Sequence, residues 1–172
     1  MNRIRFASIV CLLMALTFVS CKEEKKEWNN FYGYSNEDIV GEYSYSNAPD
    51  AFWKLIESDE GHLCPDAEVT VASVSEQSIL FKVVCPDHGF QKNFTGRPTL
   101  NQNDFLVRLY TGMSNLKRYG LTAEVLKNEQ DDIRLSGFVT EDHYKRVGSA
   151  ETGSYDTVYD YSVKYYFDVI KN

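Results

Sequence analysis

Residues 154–172 alternate between two kinds of side chain. Tyr155, Thr157, Tyr159, Tyr161, Val163, Tyr165, Phe167 and Val169 share one parity, and Asp156, Asp160, Ser162, Lys164 and Asp168 share the other. A period of two marks a strand with one face buried and one face wet. The segment lacks Gly and Pro from Ser154 to Asn172, so it predicts one strand of about 50 Å, long enough that it must twist or curl. The same alternation recurs at Phe105, Val107 and Leu109, and at Ile79, Phe81, Val83 and Cys85, with Phe90 and Phe94 suggesting a further strand. Glu68 to Ser73 pairs naturally with Ile79 to Cys85 through residues 74–78, and Leu121 to Lys127 with Ile133 to Thr140 through the polar residues 128–132. With Asp38 to Ser46 the pattern gives about eight strands. One helix is predicted, with Asp50 as N-cap, an apolar face of Phe52, Leu55 and Ile56, and Gly61 as its stop.

The fold class that follows is all-β. About eight sequential antiparallel strands hide their edges either by closing into a barrel or by packing as a two-sheet sandwich. Closure is the preferred expectation, and the sandwich is the alternative. One strand, a short helix and then a run of hairpins resembles the lipocalin or calycin barrel, whose first strand carries Gly-x-Trp. The matching place here reads Gly41-Glu42-Tyr43. That resemblance implies a barrel with an interior either filled by side chains or wide enough for one small ligand.

The start of the chain has a different pattern. Arg3 and Arg5 precede an apolar run over residues 6–19, a charged n-region followed by an h-region. As a helix the run would be about 21 Å long, short of the ~30 Å hydrocarbon core. It ends in Thr17-Phe18-Val19-Ser20-Cys21, which resembles a bacterial lipobox with Phe18 where Leu is usual. The resemblance implies that residues 1–20 are a removed signal peptide and that Cys21 carries the lipid, palmitate-type chains included. Two or more chains make a stable anchor, because each buried methylene contributes about 0.8 kcal/mol. Residues 21–37 then form the acylated cysteine and a tether, and 38–172 a single β-rich domain. The run Lys22-Glu23-Glu24-Lys25-Lys26-Glu27 has nothing to bury. Its first residues resemble the signal that follows the acylated cysteine in surface-exposed lipoproteins of the Bacteroidota, which implies an outer-membrane, surface-exposed protein. A periplasm-facing anchor is the alternative.

Removal of residues 1–20, with their two arginines and no acid, leaves 152 residues and a formal charge of −9. Lys117-Arg118 and Lys145-Arg146 are its only adjacent basic pairs outside the tether, so the basic stripe that a nucleic-acid backbone demands is missing. The expected partners are the lipid bilayer, through the acyl chains, and a small ligand or an extracellular protein.

With Cys11 in the signal and Cys21 lipidated, Cys64 and Cys85 remain, flanking the first hairpin. Folding that hairpin brings both to its open end. A disulfide there would persist outside the cytoplasm and contribute about 3 kcal/mol. The competing reading takes His62, Cys64, Cys85 and His88 as a two-nitrogen, two-sulfur zinc set, though their spacing matches no common zinc module; free thiols are the third.

Catalytic motifs are thin: no Ser nucleophile motif, phosphate-cradling glycine loop or paired-carboxylate pattern stands out. His143 follows Glu141-Asp142 in a charge-rich stretch before Gly148 and Gly153, read as a solvated loop. Asp156-Thr157-Val158 resembles the short acceptor for O-glycosylation in Bacteroidota export, with Thr157 as the acceptor, although its parity places it on the apolar face. The function expected is binding and not catalysis. Tyr159, Tyr161, Tyr165 and Phe167 either fill the core or line a pocket for a small apolar or sugar-like ligand. The alternative is a protein-interaction or inhibitor module displayed on the membrane, signalled by a filled interior and an exposed aromatic patch, with Trp53 as one place to look.

Overall fold

A computed structural model describes residues 27–45, 61–98, 105–149 and 153–172. Cys21, Trp53 and the helix expected from Asp50 lie outside them, and Gly61, its expected stop, instead opens a strand. The elements in chain order are β1 (Asn29–Asn30), α1 (Asn36–Ile39), β2 (Gly41–Tyr45), β3 (Gly61–Leu63), β4 (Glu68–Ser75), β5 (Ser78–Cys85), β6 (Phe90–Gly96), β7 (Leu106–Tyr110), β8 (Lys117–Lys127), β9 (Ile133–Ser149) and β10 (Ser154–Lys171). Among the described residues the fold is all-β with one short helix, and every ladder is antiparallel except that between β3 and β10.

Alternating side chains build the core as the pattern predicts. Val69 and Val71, Ile79, Phe81 and Val83, Phe94, Val107 and Leu109, Leu121, Ala123 and Val125, Leu135 and Val139, and Phe167 and Val169 are all buried in one apolar cluster. The strand order is β8-β9-β10-β2-β4-β5-β6, with β1 and β7 sharing the other edge of β8. The expected closure is not found: no ladder joins β6 to β7 among the described residues. A Cβ built on Gly96 would lie 3.1 Å from Leu109 Cδ2, so at this point the Leu109 side chain of β7 packs against the backbone of β6. The result is an open sheet curled over one core, which agrees with the sandwich alternative better than with a barrel.

Helix α1 rests on a capping box. Ser35 Oγ accepts from the Asp38 N–H at 3.3 Å, and the Asp38 carboxylate accepts from the Ser35 N–H at 2.6 Å. Tyr43 is 2% exposed and donates its hydroxyl proton to the Ile39 carbonyl at 2.7 Å, so the aromatic of Gly41-Glu42-Tyr43 ties helix to strand. Strand β1 lies within the segment read as tether and pairs with Leu126 and Lys127.

The registers give the sheet two distinct ends. Asn29–Asn30, α1, the β4–β5 turn, the β8–β9 turn and the chain terminus share one end, where the N-terminal segment joins. The β7–β8 loop, the turn at Pro86–His88, Cys64 and the far parts of β9 and β10 share the other, distal end. Beyond Tyr144, β9 and β10 continue as a two-stranded arm whose residues 153–161 are all exposed.

Candidate functional site

The distal end concentrates charge and aromatic rings on the concave face, because the parity that buries Leu135 and Val139 continues along β9 to Glu141 and His143. On β8, Tyr119 and Lys117 sit opposite these two, and on β10 Val163 and Tyr161 do the same. Glu141 is only 8% exposed. A carboxylate so buried must be paired. Lys117 Nζ donates to Glu141 Oε1 at 2.5 Å, and His143 Nε2 lies 2.9 Å from the same oxygen. The His143 ring stacks on Tyr161 with centroids 4.2 Å apart, and Tyr161 keeps half its surface in solvent.

Beside this group, Phe90 stacks on Tyr165 at 4.2 Å, and Lys92 Nζ sits 3.7 Å over the Tyr119 ring. The Glu141 hydrogen bond raises the Lys117 pKa by favouring its charged form. Burial, and then the Glu141 charge, raise the pKa values of Tyr119 and Tyr165. Both phenols therefore stay protonated as donors. With Oε1 held by a lysine and a histidine, Glu141 is fixed as an acceptor that orders its neighbours.

No family profile, curated protein or solved structure shows significant similarity to this chain, so the residues themselves carry the argument.

The expected site residues separate. Phe167 is 1% exposed and fills the core, while Tyr165 is half-buried against Phe90. Tyr159 and Tyr161 do not share a face. The register slips between them, pairing Tyr159 with Tyr144 and Tyr161 with His143, and the extra residue, Asp160, inverts the parity. Its carboxylate takes Lys145 Nζ at 2.6 Å. Tyr161 therefore follows the concave face, while Tyr159 (57% exposed) lies on the opposite face of the arm. Thr157 is exposed on the arm instead of facing the core.

His143 is not in a loop: it lies within the unbroken strand β9, two residues from Glu141 and on the same face. Cys64 and Cys85 are bridged, with Cα atoms 5.4 Å apart, which leaves no thiolate for the four-ligand zinc set. Lys117, Tyr119, Phe90 and Lys92 were missed by sequence reasoning. The available signal was charge on an apolar parity: Lys117 and Tyr119 are in phase with Leu121, Ala123 and Val125, and Glu141 is in phase with Leu135 and Val139.

Proposed function

We propose that the chain is an exported lipoprotein, held in the outer membrane through an acylated Cys21 and exposed at the surface, whose distal end binds a small sugar-like ligand. The carrying observation is the exposed Tyr161 ring stacked on His143, next to the buried Glu141 and its partner Lys117. A flat aromatic face accepts the C–H side of a sugar ring, while a carboxylate and an ammonium on one side of it engage hydroxyls. Buried side chains fill the interior of the curled sheet, which favours a ligand held at the rim over one enclosed.

The test is a titration of the mature protein in detergent against a panel of neutral and acidic oligosaccharides, read by saturation-transfer NMR and calorimetry. Binding that is lost in both Tyr161→Ala and Glu141→Gln supports the reading. No binding across the panel, or binding indifferent to both substitutions, removes it. A second reading, docking of an extracellular protein, is favoured by the arm, where Tyr155, Tyr159, Val147 and Val158 are exposed. Intact-mass analysis of protein purified from membranes tests the anchor: a chain that begins at Cys21 and carries acyl chains is expected, and peptide mapping of the same sample tests for a glycan on Thr157.

A further inference from the structure

We infer that His62 and His88 form a two-imidazole site for a borderline divalent metal ion such as Zn²⁺ or Cu²⁺. The inference is independent of the sugar reading. The two residues are 26 positions apart, are both exposed, and have ring centroids 4.6 Å apart. With metal–nitrogen bonds of about 2.0 Å, two imidazoles on one ion place their ring centres about 4.5–5.2 Å apart, from square to tetrahedral angles. The observed centroid spacing falls in that window, with the two ring planes tilted by 38°.

Several features hold the two rings where they are. His62 lies on β3, which is fixed by its parallel ladder to β10 opposite Tyr165, and its ring packs 5.4 Å from that phenol. His88 ends the turn Pro86–His88, which is closed by Gly89 in the left-handed conformation (φ 58°) with its N–H donating to the Pro86 carbonyl. The Cys64–Cys85 bridge joins the two segments, two residues after one histidine and three before the other.

The orientation of His88 adds chemistry to the spacing. Its Nε2 lies 2.7 Å from the Leu63 carbonyl oxygen, an acceptor only, so Nε2 carries the proton. The lone pair of the neutral ring is then on Nδ1. A metal-binding histidine commonly has its other nitrogen donating to a backbone carbonyl, which fixes the tautomer. Among the described residues no third His, Cys, Asp or Glu completes the set. The ion would therefore keep exchangeable positions for water or for a donor from a bound partner.

The experiment uses the mature protein in detergent, free of any affinity tag. Zn²⁺ is titrated against a chromophoric indicator, and the Cu²⁺ complex is examined by pulsed electron paramagnetic resonance, which counts coordinated imidazoles. One ion per chain, a loss of about tenfold or more in affinity for each of His62→Ala and His88→Ala, and two imidazoles on Cu²⁺ are expected. No saturable binding would overturn the proposal, and so would unchanged affinity in both variants. The imidazole count is taken on the unsubstituted protein, so a count of one or none overturns it even if a variant fails to fold.

Discussion

Replacing Asp168 with Ala should be among the most damaging single changes in this domain, for a reason that sits on the outer face of the sheet. Arg134 of β9 and Asp168 of β10 are diagonal neighbours there, at 4% and 2% exposure. Arg134 Nε donates to Asp168 Oδ1 at 2.6 Å, a guanidinium NH₂ group donates to Oδ2, and the Trp28 ring covers the guanidinium with its centroid 5.5 Å away. An arginine cannot shed its charge, so removing the carboxylate leaves a buried cation with no counter-ion, which costs about 3–5 kcal/mol. For a domain of this size each kcal/mol moves the midpoint by about 3–5 °C, so Tm should fall by roughly 10–20 °C. Urea unfolding followed by two probes, with the disulfide intact, gives the free energy. The double variant Arg134→Met/Asp168→Leu should recover to within about 1 kcal/mol of the unsubstituted protein, because desolvation of both charges is removed together. A loss under about 1 kcal/mol in Asp168→Ala, or a double variant as unstable as the two single changes combined, would refute the reasoning.

Two further outcomes follow from the distal end. Cys64→Ala/Cys85→Ala opens a loop spanning a sequence separation of 21 and should cost about 3 kcal/mol in urea unfolding. Stability equal to that of the bridged protein would contradict it. Glu141→Gln removes a negative charge that raises the Tyr119 and Tyr165 pKa values, so both phenols should ionise at lower pH, as read by absorbance at 295 nm, while burial still keeps them above free tyrosine. Because their folded pKa values are raised, these groups contribute stability below about pH 10, the unfolded tyrosine value, and that contribution is lost as pH climbs through the folded values. The Gln variant should therefore show a smaller alkaline loss from this source, and unchanged phenol titration would sink the assignment.

Strands and turns were legible in the chain wherever one rule acted alone. The β8–β9 turn is an example: Asn128 Oδ1 accepts the N–H groups of Gln130 and Asp132, both at 2.9 Å, which is the reason such polar runs form turns. Parity failed on β10 because a single inserted residue, Asp160, reverses every side chain on one side of it, and a bulge leaves no mark in an alternating string. The capping box at Ser35 and Asp38 was present in the sequence but lacked an apolar period to point to it, since the helix has only four residues. Three residues of β3 in parallel with β10 carry no period at all, so the approach of His62 to Tyr165 belongs to the tertiary structure. Likewise, His143 and Glu141 read as loop residues because a run of charge ordinarily signals a solvated segment. On the concave face the same charge is paired, with Lys117 completing the group.

The two ends of the domain make the anchor testable as geometry. The chain enters the sheet at Asn29–Asn30, beside Lys127 and the β8–β9 turn, whereas the Tyr161 shelf and the arm lie at the far end of the long strands. From Lys171 to Ser154 strand β10 spans roughly 50 Å, and the six charged residues after Cys21 reach at most about 20 Å when extended. With Cys21 in the bilayer, the entry end should face the lipid and the arm should project away from it. A fluorophore on a cysteine placed at Glu129 should then be quenched by head-group nitroxide lipids in reconstituted vesicles, and one at Ser154 should not. Even with Glu129 replaced, Glu37, Asp38, Glu76, Asp131 and Asp132 outnumber Lys127 and Lys171 at the entry end, so adding anionic lipid should push it outward and lower the quenching of that probe. Strong quenching at both positions would mean that the domain lies flat on the bilayer, and quenching at neither would mean that the entry end is not held against it; either outcome removes the upright arrangement.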